Sequence, residues 1–234
     1  SWPRPWSPPQ KDERQARLKE SVALAQLHAE IAVCDKCAQA GYFAEHSGIV
    51  VNQPPLLDRR PRMMLVGQAP ASALRSKGRP FSGQAGRALF AWLAQAGWAE
   101  EDFRARCYFT AITKCYPGPA LAGGRPSVGR GDRLPTPTEQ LLCQPFLLRE
   151  LALIQPELII TVGRLAMTYF LGKVDFTATI GGMYERQGRL IVPLPHPSGV
   201  SRWNNAPDNK ARVQRALSEL RAICLARGLS SRDL

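Results

Sequence analysis

The sequence predicts an α/β protein: a three-layer α/β/α sandwich around a short, mainly parallel four-stranded sheet. Two observations carry that expectation. Four short apolar runs, bounded by glycine, proline or a cysteine-bearing turn, alternate with stretches whose apolar residues recur at helical spacing. Alternation of this kind implies crossover connections, hence parallel strands with both faces of the sheet covered. Ligands in such sheets bind at the carboxyl ends of the strands, so the residues following each run are the first place to look for chemistry.

Residues 1–10 (SWPRPWSPPQ) are Pro-rich with neither period and read as a flexible tail, leaving 11–234 as a single domain. Within 12–32, Leu18, Val22, Leu24, Leu27 and Ile31 recur at near-helical spacing, which delivers Cys34 and Cys37 just past the helix end. A loop-rich stretch runs to Arg60. RMMLVGQAP (62–70) reads as a buried strand entering a Gly/Pro turn, 84–97 as an amphipathic helix stopped by Gly97, and CYFTAIT (107–113) as a second strand leading to Cys115. Residues 116–137, rich in Gly, Pro and Arg, are too irregular for an element and read as a mobile basic loop. PTPTEQLLCQPFLLRELALI (135–154) has a helical period, with Thr138 as its expected cap. ELIITVG (157–163) is the third strand, with a helix beginning at its glycine, and LIVPLPH (190–196) is the fourth. A final amphipathic helix is expected from about Asp208 to Ala226.

A formal net charge of +12 and a pI of about 9.9 favour a polyanionic partner, with nucleic acid the first candidate. A generally Arg-heavy composition gives the same sum, so charge alone leaves that choice open. The chain is 44% hydrophobic, enough for a core, and holds no apolar stretch long enough to span a bilayer. A soluble, cytoplasmic monomer is expected, nucleoid-associated if bacterial.

Cys34 and Cys37 form a C-x2-C pair, and Cys115 and Cys143 stand far from it in sequence. Two thiolates from one tight turn plus two distant ones can wrap a single centre, and four thiolates suit Zn or a [4Fe–4S] cluster alike. Disulfides fit less well, because no secretory signal is evident and a chain of this length builds a core without staples. Cys107, in an apolar run, and Cys224, on a helix, read as small core residues.

Taken in order, GQAP and GRPFSGQAG (between Gly67 and Gly86), YFTAITKC (108–115), PTPTEQLLCQPFL (135–147) and HPSGVSR (196–202) resemble the motifs of the uracil-DNA glycosylase superfamily, its iron–sulfur branch (families 4 and 5) in particular. The resemblance covers most of the chain from Cys34 onward. It implies an enzyme that flips a deaminated base out of DNA and hydrolyses its N-glycosidic bond, leaving an abasic site. It also implies a [4Fe–4S] cluster on Cys34, Cys37, Cys115 and Cys143. Phe81 would stack on the flipped base, His196 would donate to the uracil oxygen as charge builds there, and the turn at Gly67, Gln68 and Ala69 would hold the base and the attacking water. Val200 matches an apolar wedge and Arg202 a phosphate contact. Trp203 stacks or anchors that loop, and Arg125, Arg130 and Arg133 present a basic surface. His28 and His46 have no comparable setting and read as structural.

Three positions depart from the family pattern. Gln68 stands where family 4 usually has Glu; an amide orients water but takes no proton. Ala111 stands where that family has the Asn that reads the uracil edge. Ala71 stands where the best-known family has a Tyr that excludes the thymine methyl. The rival reading is a non-catalytic lesion or single-strand DNA-binding protein on the same fold, with Gln68 and Ala111 marking lost chemistry. A Zn-stapled nucleic-acid-binding protein of another family is the third.

Overall fold

A computed structural model describes residues 11–42, 61–71, 79–122, 125–126, 131–198 and 202–229. Strands form where the apolar runs fall: β1 (Met63–Gly67), β2 (Cys107–Ala111), the two-residue β3 (Leu121–Ala122) and β4 (Arg125–Pro126), β5 (Leu158–Val162), β6 (Tyr184–Arg186) and β7 (Arg189–Leu194). The main sheet has the order β2-β1-β5-β7-β6. The first four are mutually parallel, and β6 runs antiparallel to β7. Every residue of β1 and β5 is buried, as strands covered on both faces require.

The sheet therefore has five strands, not the four expected. The fifth arises from a two-residue hairpin, with Gln187 at φ 52° and Gly188 at φ 73° between the paired residues Arg186 and Arg189. Left-handed backbone at both central positions is the turn that suits strand twist. Gln-Gly is a weaker hairpin signal than Asn-Gly, and three residues with an exposed Glu and Arg carry no apolar alternation.

The helices are α1 (Lys11–Ala32), α2 (Lys36–Gln39), α3 (Gln84–Gln95), α4 (Glu100–Arg106), α5 (Pro137–Ile154), α6 (Arg164–Leu171), α7 (Phe176–Thr179) and α8 (Pro207–Ala226). Side chains of β2 show how they are layered. Cys107 and Phe109 point to one side, Phe109 meeting Phe103 of α4 edge to face at 5.9 Å and Cys107 lying near Cys224 of α8. Tyr108 and Thr110 point to the other, where they meet His28 of α1 and Glu150 of α5. Both faces are thus covered, which makes the fold three-layered.

Leu24, Leu27 and Ile31 of α1 are buried, but Leu18 and Val22 remain exposed, so only the second half of that helix docks. The unexpected α4 holds one buried residue, Phe103, too few to show a period; Glu100, Glu101 and Asp102 in its first turn and Arg104 and Arg106 in its last complement its dipole.

The 116–137 stretch is more ordered than expected. β3 and β4 pair antiparallel, and below them Pro119 bridges Asp132, with Ala120 N donating to Gly131 O at 2.8 Å and Arg133 N to Gly118 O at 3.0 Å. The loop thus zips its own ends together through pairings too short to leave a periodic signal.

The cap of α5 is Thr136, not Thr138. Thr136 Oγ1 accepts from Glu139 N at 3.2 Å while the Glu139 carboxylate accepts from Thr136 N at 2.7 Å, with Pro137 at the first helical position. That is a reciprocal capping box, and the spacing T-x-x-E requires the first threonine. Thr136→Ala is expected to cost about 1 kcal/mol in urea unfolding, the usual scale for a lost N-cap, and the exposed Thr138→Ala distinctly less.

Candidate active site

The chain leaves β1 for β2 on one side and later returns to place β5 on the other, so strand order reverses at β1. A crevice opens at the carboxyl ends of strands at such a point. Gly67 ends β1 in register with Ala111 of β2, and the ladder continues past both: Ile112 N donates to Gly67 O at 3.0 Å and Thr113 N to Gln68 O at 3.2 Å. Gln68 Nε2 donates to Arg133 O at 3.1 Å, so its side chain reaches across to the 116–137 loop. β5 ends at Gly163, φ 90°, where a Cβ would stand 3.5 Å from the Cβ of His196. The left-handed backbone there favours glycine and lets His196, just past β7, settle against the end of β5.

His196 faces solvent with protein around it. Loss of hydration lowers its pKa below the ordinary histidine value, and the Asp132 carboxylate pulls the other way. The neutral imidazole therefore prevails at pH 7, able to donate one N–H. Its backbone is pinned by Asn204 Nδ2, which donates to His196 O at 3.0 Å.

Phe81 lies over the end of β1, its ring 3.6 Å from where a Gly67 Cβ would be and 6.5 Å from the Phe109 centroid. It adopts φ 53°, left-handed backbone that is costly for a residue with a bulky side chain. Arg104 holds it there, Nη1 donating to Pro80 O at 2.9 Å and Nη2 to Phe81 O at 3.3 Å, while the guanidinium stacks 4.2 Å over Phe90. Gly86 allows this course, since a Cβ there would fall 1.6 Å from Phe81 O. Gly67, Phe81 and Ala111 are thereby brought to one spot.

Beneath Ala111 lies a buried ionic network. Lys114 Nζ donates to Ala111 O at 2.7 Å, Thr110 Oγ1 at 2.6 Å and Glu150 Oε2 at 2.7 Å. Glu150 also accepts from Thr110 Oγ1 at 2.7 Å and from Tyr108 OH at 3.1 Å, and Tyr108 OH is 2.8 Å from His28 Nε2. Burial lowers the His28 pKa, so that ring sits neutral in the network, the structural role read for it.

On the far side of Lys114, the four cysteines of the sequence pattern line one small cavity with apolar walls from Ile31 and Phe146. Cys34 follows α1, Cys37 lies on α2, Cys115 follows β2 and Cys143 lies on α5. All four are free thiols, as are Cys107 and Cys224. Burial and the neighbouring Cys143, Glu139 and Cys34 push the Cys37 thiol up to about 11. Lys114 N donates to Cys143 Sγ at 3.1 Å. Among the described residues no group of three or more His, Cys, Asp or Glu side chains is arranged to hold a metal ion; the four thiols instead stand around a chamber.

Residues 54–221 match the family model of the Uracil DNA glycosylase superfamily. The chain belongs to this superfamily. It is 30% identical over 170 residues to the Type-4 uracil-DNA glycosylase of Thermotoga maritima, covering 71% of this chain and 79% of that protein. It is 29% identical over 187 residues to the Type-4 uracil-DNA glycosylase of Archaeoglobus fulgidus, covering 76% and 83%, and 27% identical to that of Sulfurisphaera tokodaii, covering 76% of each.

Arg133 takes another role than the basic surface read from sequence, and Trp203 takes one of the two roles read for it. Arg133 is not a free cation awaiting phosphate: Nη1 and Nη2 each donate to Glu139 at 2.7 Å, a buried carboxylate in the wall of the cysteine chamber. Trp203 anchors its loop, donating from Nε1 to Thr177 Oγ1 at 2.9 Å with its ring edge-on to Phe176 at 5.4 Å. Ala71 is exposed. Val200, Arg130, His46 and the 1–10 segment lie outside the described residues, as do the side chains of Arg125 and Arg202. Arg104 and Asp132 escaped the reading, the first because the acceptors that tie it to Phe81 are backbone carbonyls, the second because the basic tally of its loop hid one acid.

Gly86→Ala is expected to destabilise the protein by about 1–3 kcal/mol or more in urea unfolding, the scale of overpacking, because the methyl meets backbone rather than a movable side chain. Gly83→Ala, at a helix cap where a Cβ meets nothing within 4 Å, is the control and should cost much less.

Proposed function

We propose that this chain is a monofunctional DNA N-glycosylase that hydrolyses the bond between deoxyribose and uracil, or another deaminated base, and leaves an abasic site. The observation that carries this reading is the convergence of Gly67, Phe81 and Ala111 on the strand-end crevice that His196 borders. The names borne by its relatives support the same activity.

A base in a duplex must be unstacked before its glycosidic bond can be reached. Phe81 offers the flipped base an aromatic face on a backbone that Arg104 holds in place. As the bond breaks, negative charge grows on the base, and the neutral His196 N–H and the amides around Gln68 and Ala69 are the donors to stabilise it. Gln68 orients the attacking water. Lys114 is no Schiff-base nucleophile, because its ammonium is buried among three oxygens. Val200 as wedge and Arg202 as phosphate contact complete the assignment to DNA, with the protein acting as a monomer. No helix among the described residues is long and apolar enough to cross a membrane.

The cysteine chamber fits a [4Fe–4S] cluster: four free thiols from four separate elements, apolar walls and a backbone N–H on one sulfur. Bound there, a cluster supplies a structural tie between the end of α1, the end of β2 and α5. Protein purified without oxygen should be brown, with about four iron atoms per chain. A colourless preparation holding stoichiometric Zn overturns the assignment.

The non-catalytic DNA-binding reading rests on Gln68, which has no proton-accepting group and is tied to a loop carbonyl. Alkaline strand cleavage of uracil-containing oligonucleotides separates the two. His196→Ala should lower the single-turnover rate by roughly 10²- to 10³-fold while leaving DNA affinity nearly unchanged. Ala111→Asn should narrow a uracil, hypoxanthine and xanthine panel toward uracil by about 1–3 kcal/mol of discrimination. Equal losses of binding and rate at His196 would make it structural, and an unchanged panel would move base reading away from Ala111.

A further inference from the structure

We infer that Asp132 is a catalytic residue, supplying from the 116–137 loop the carboxylate that position 68 lacks and accepting the proton of the attacking water. The inference rests on the glycosylase reading. Gln68 does not stand alone at the end of β1; its amide is fastened at 3.1 Å to the carbonyl of Arg133, the residue next to Asp132. Asp132 is itself bracketed by backbone bonds, from Ala120 N to Gly131 O and from Arg133 N to Gly118 O, and bridges Pro119. Arg133 is anchored in turn by its two bonds to Glu139. The backbone on both sides of Asp132 is thus fixed, by main-chain bonds and through the Arg133 side chain.

Asp132 is exposed as a residue, so water reaches it, while its carboxylate is partly desolvated. The Tyr116 hydroxyl donates to it, and it lies near enough to His196 for each to act on the titration of the other. Among the described residues, Asp132 is the acid that influences His196. Desolvation raises its pKa, against the pull of Tyr116 and His196, which makes it a better proton acceptor than a free aspartate.

The step balances with water as the sole co-reactant. The water oxygen bonds to C1′ as its proton passes to Asp132. The C1′–N bond breaks, its electron pair moving onto the base, whose carbonyl oxygen takes the His196 N–H bond. The proton on Asp132 is then free to neutralise the departing base anion. Before the proton moves, the anionic carboxylate also faces the positive charge growing on the sugar. Gln68 and Asp132 together thus divide the work of one glutamate: the amide orients and the carboxylate deprotonates.

The test measures single-turnover rates and DNA affinity of the full chain on uracil-containing oligonucleotides across pH. Asp132→Asn should slow cleavage roughly 10²- to 10⁴-fold, the scale of general-base assistance, without changing affinity, and should abolish the acid limb of the pH–rate profile. Gln68→Glu added to Asp132→Asn should restore part of the rate. In parallel, the NMR titration of His196 should shift to lower pH in Asp132→Asn, since the carboxylate raises that pKa; a merely structural aspartate would not link these readouts. A wild type inert on every deaminated base sinks the glycosylase reading and this proposal with it. An active wild type whose rate survives Asp132→Asn within about threefold sinks this proposal alone.

Discussion

β1 is hydrogen-bonded along both edges and buried on both faces, and the crevice follows from that. A strand with no water beside it must satisfy every backbone group within the sheet, and here both neighbours are parallel strands delivered by crossovers. With β2 on one side and β5 on the other, the connections diverge at its carboxyl end. Phe81 lies against Gly67, Ala111 stands opposite that glycine, and His196 lies against Gly163.

The buried Lys114–Glu150 pair couples this crevice to the cysteine chamber. Desolvating two charges is costly, and such a pair is retained without loss only when its remaining hydrogen-bonding capacity is filled. Thr110, Ala111 O and Tyr108 fill it here. The same residue that holds the Ala111 carbonyl with its ammonium offers its backbone N–H to Cys143. Movement of α5 or of the chamber would therefore be felt at the strand end that carries Ala111.

Arg133 makes a second such link. Its guanidinium grips Glu139, whose carboxyl burial alone would push up but which Arg133 and the Thr136 backbone hold below the usual range. Its carbonyl receives Gln68. One residue thus ties the helix cap, the chamber wall and the turn after β1 to the loop that carries Asp132. The stability from Glu139 is present above the carboxylate's unfolded pKa and fades as pH falls through its lowered folded value. Acid would loosen this loop along with the cap of α5.

Sequence by itself determined the alternation of strands and helices and the association of Cys34, Cys37, Cys115 and Cys143 as one set, and it pointed to the strand ends. These rest on local signals: apolar runs, glycines at strand ends and C-x2-C spacing. Tertiary structure alone decided that Gln187 and Gly188 turn a fifth strand back onto β7, that Arg133 faces a buried carboxylate and not solvent, and that Trp203 serves as an anchor. It also decided that the Asp132 carboxylate lies near enough to His196 to raise its pKa. Each of these depends on a partner far away in sequence, and a charged side chain carries no local mark of which partner it will find. The T-x-x-E box at Thr136 was legible throughout and was misread by two residues. A cap is defined by where the helix begins, and Pro137 marked that beginning.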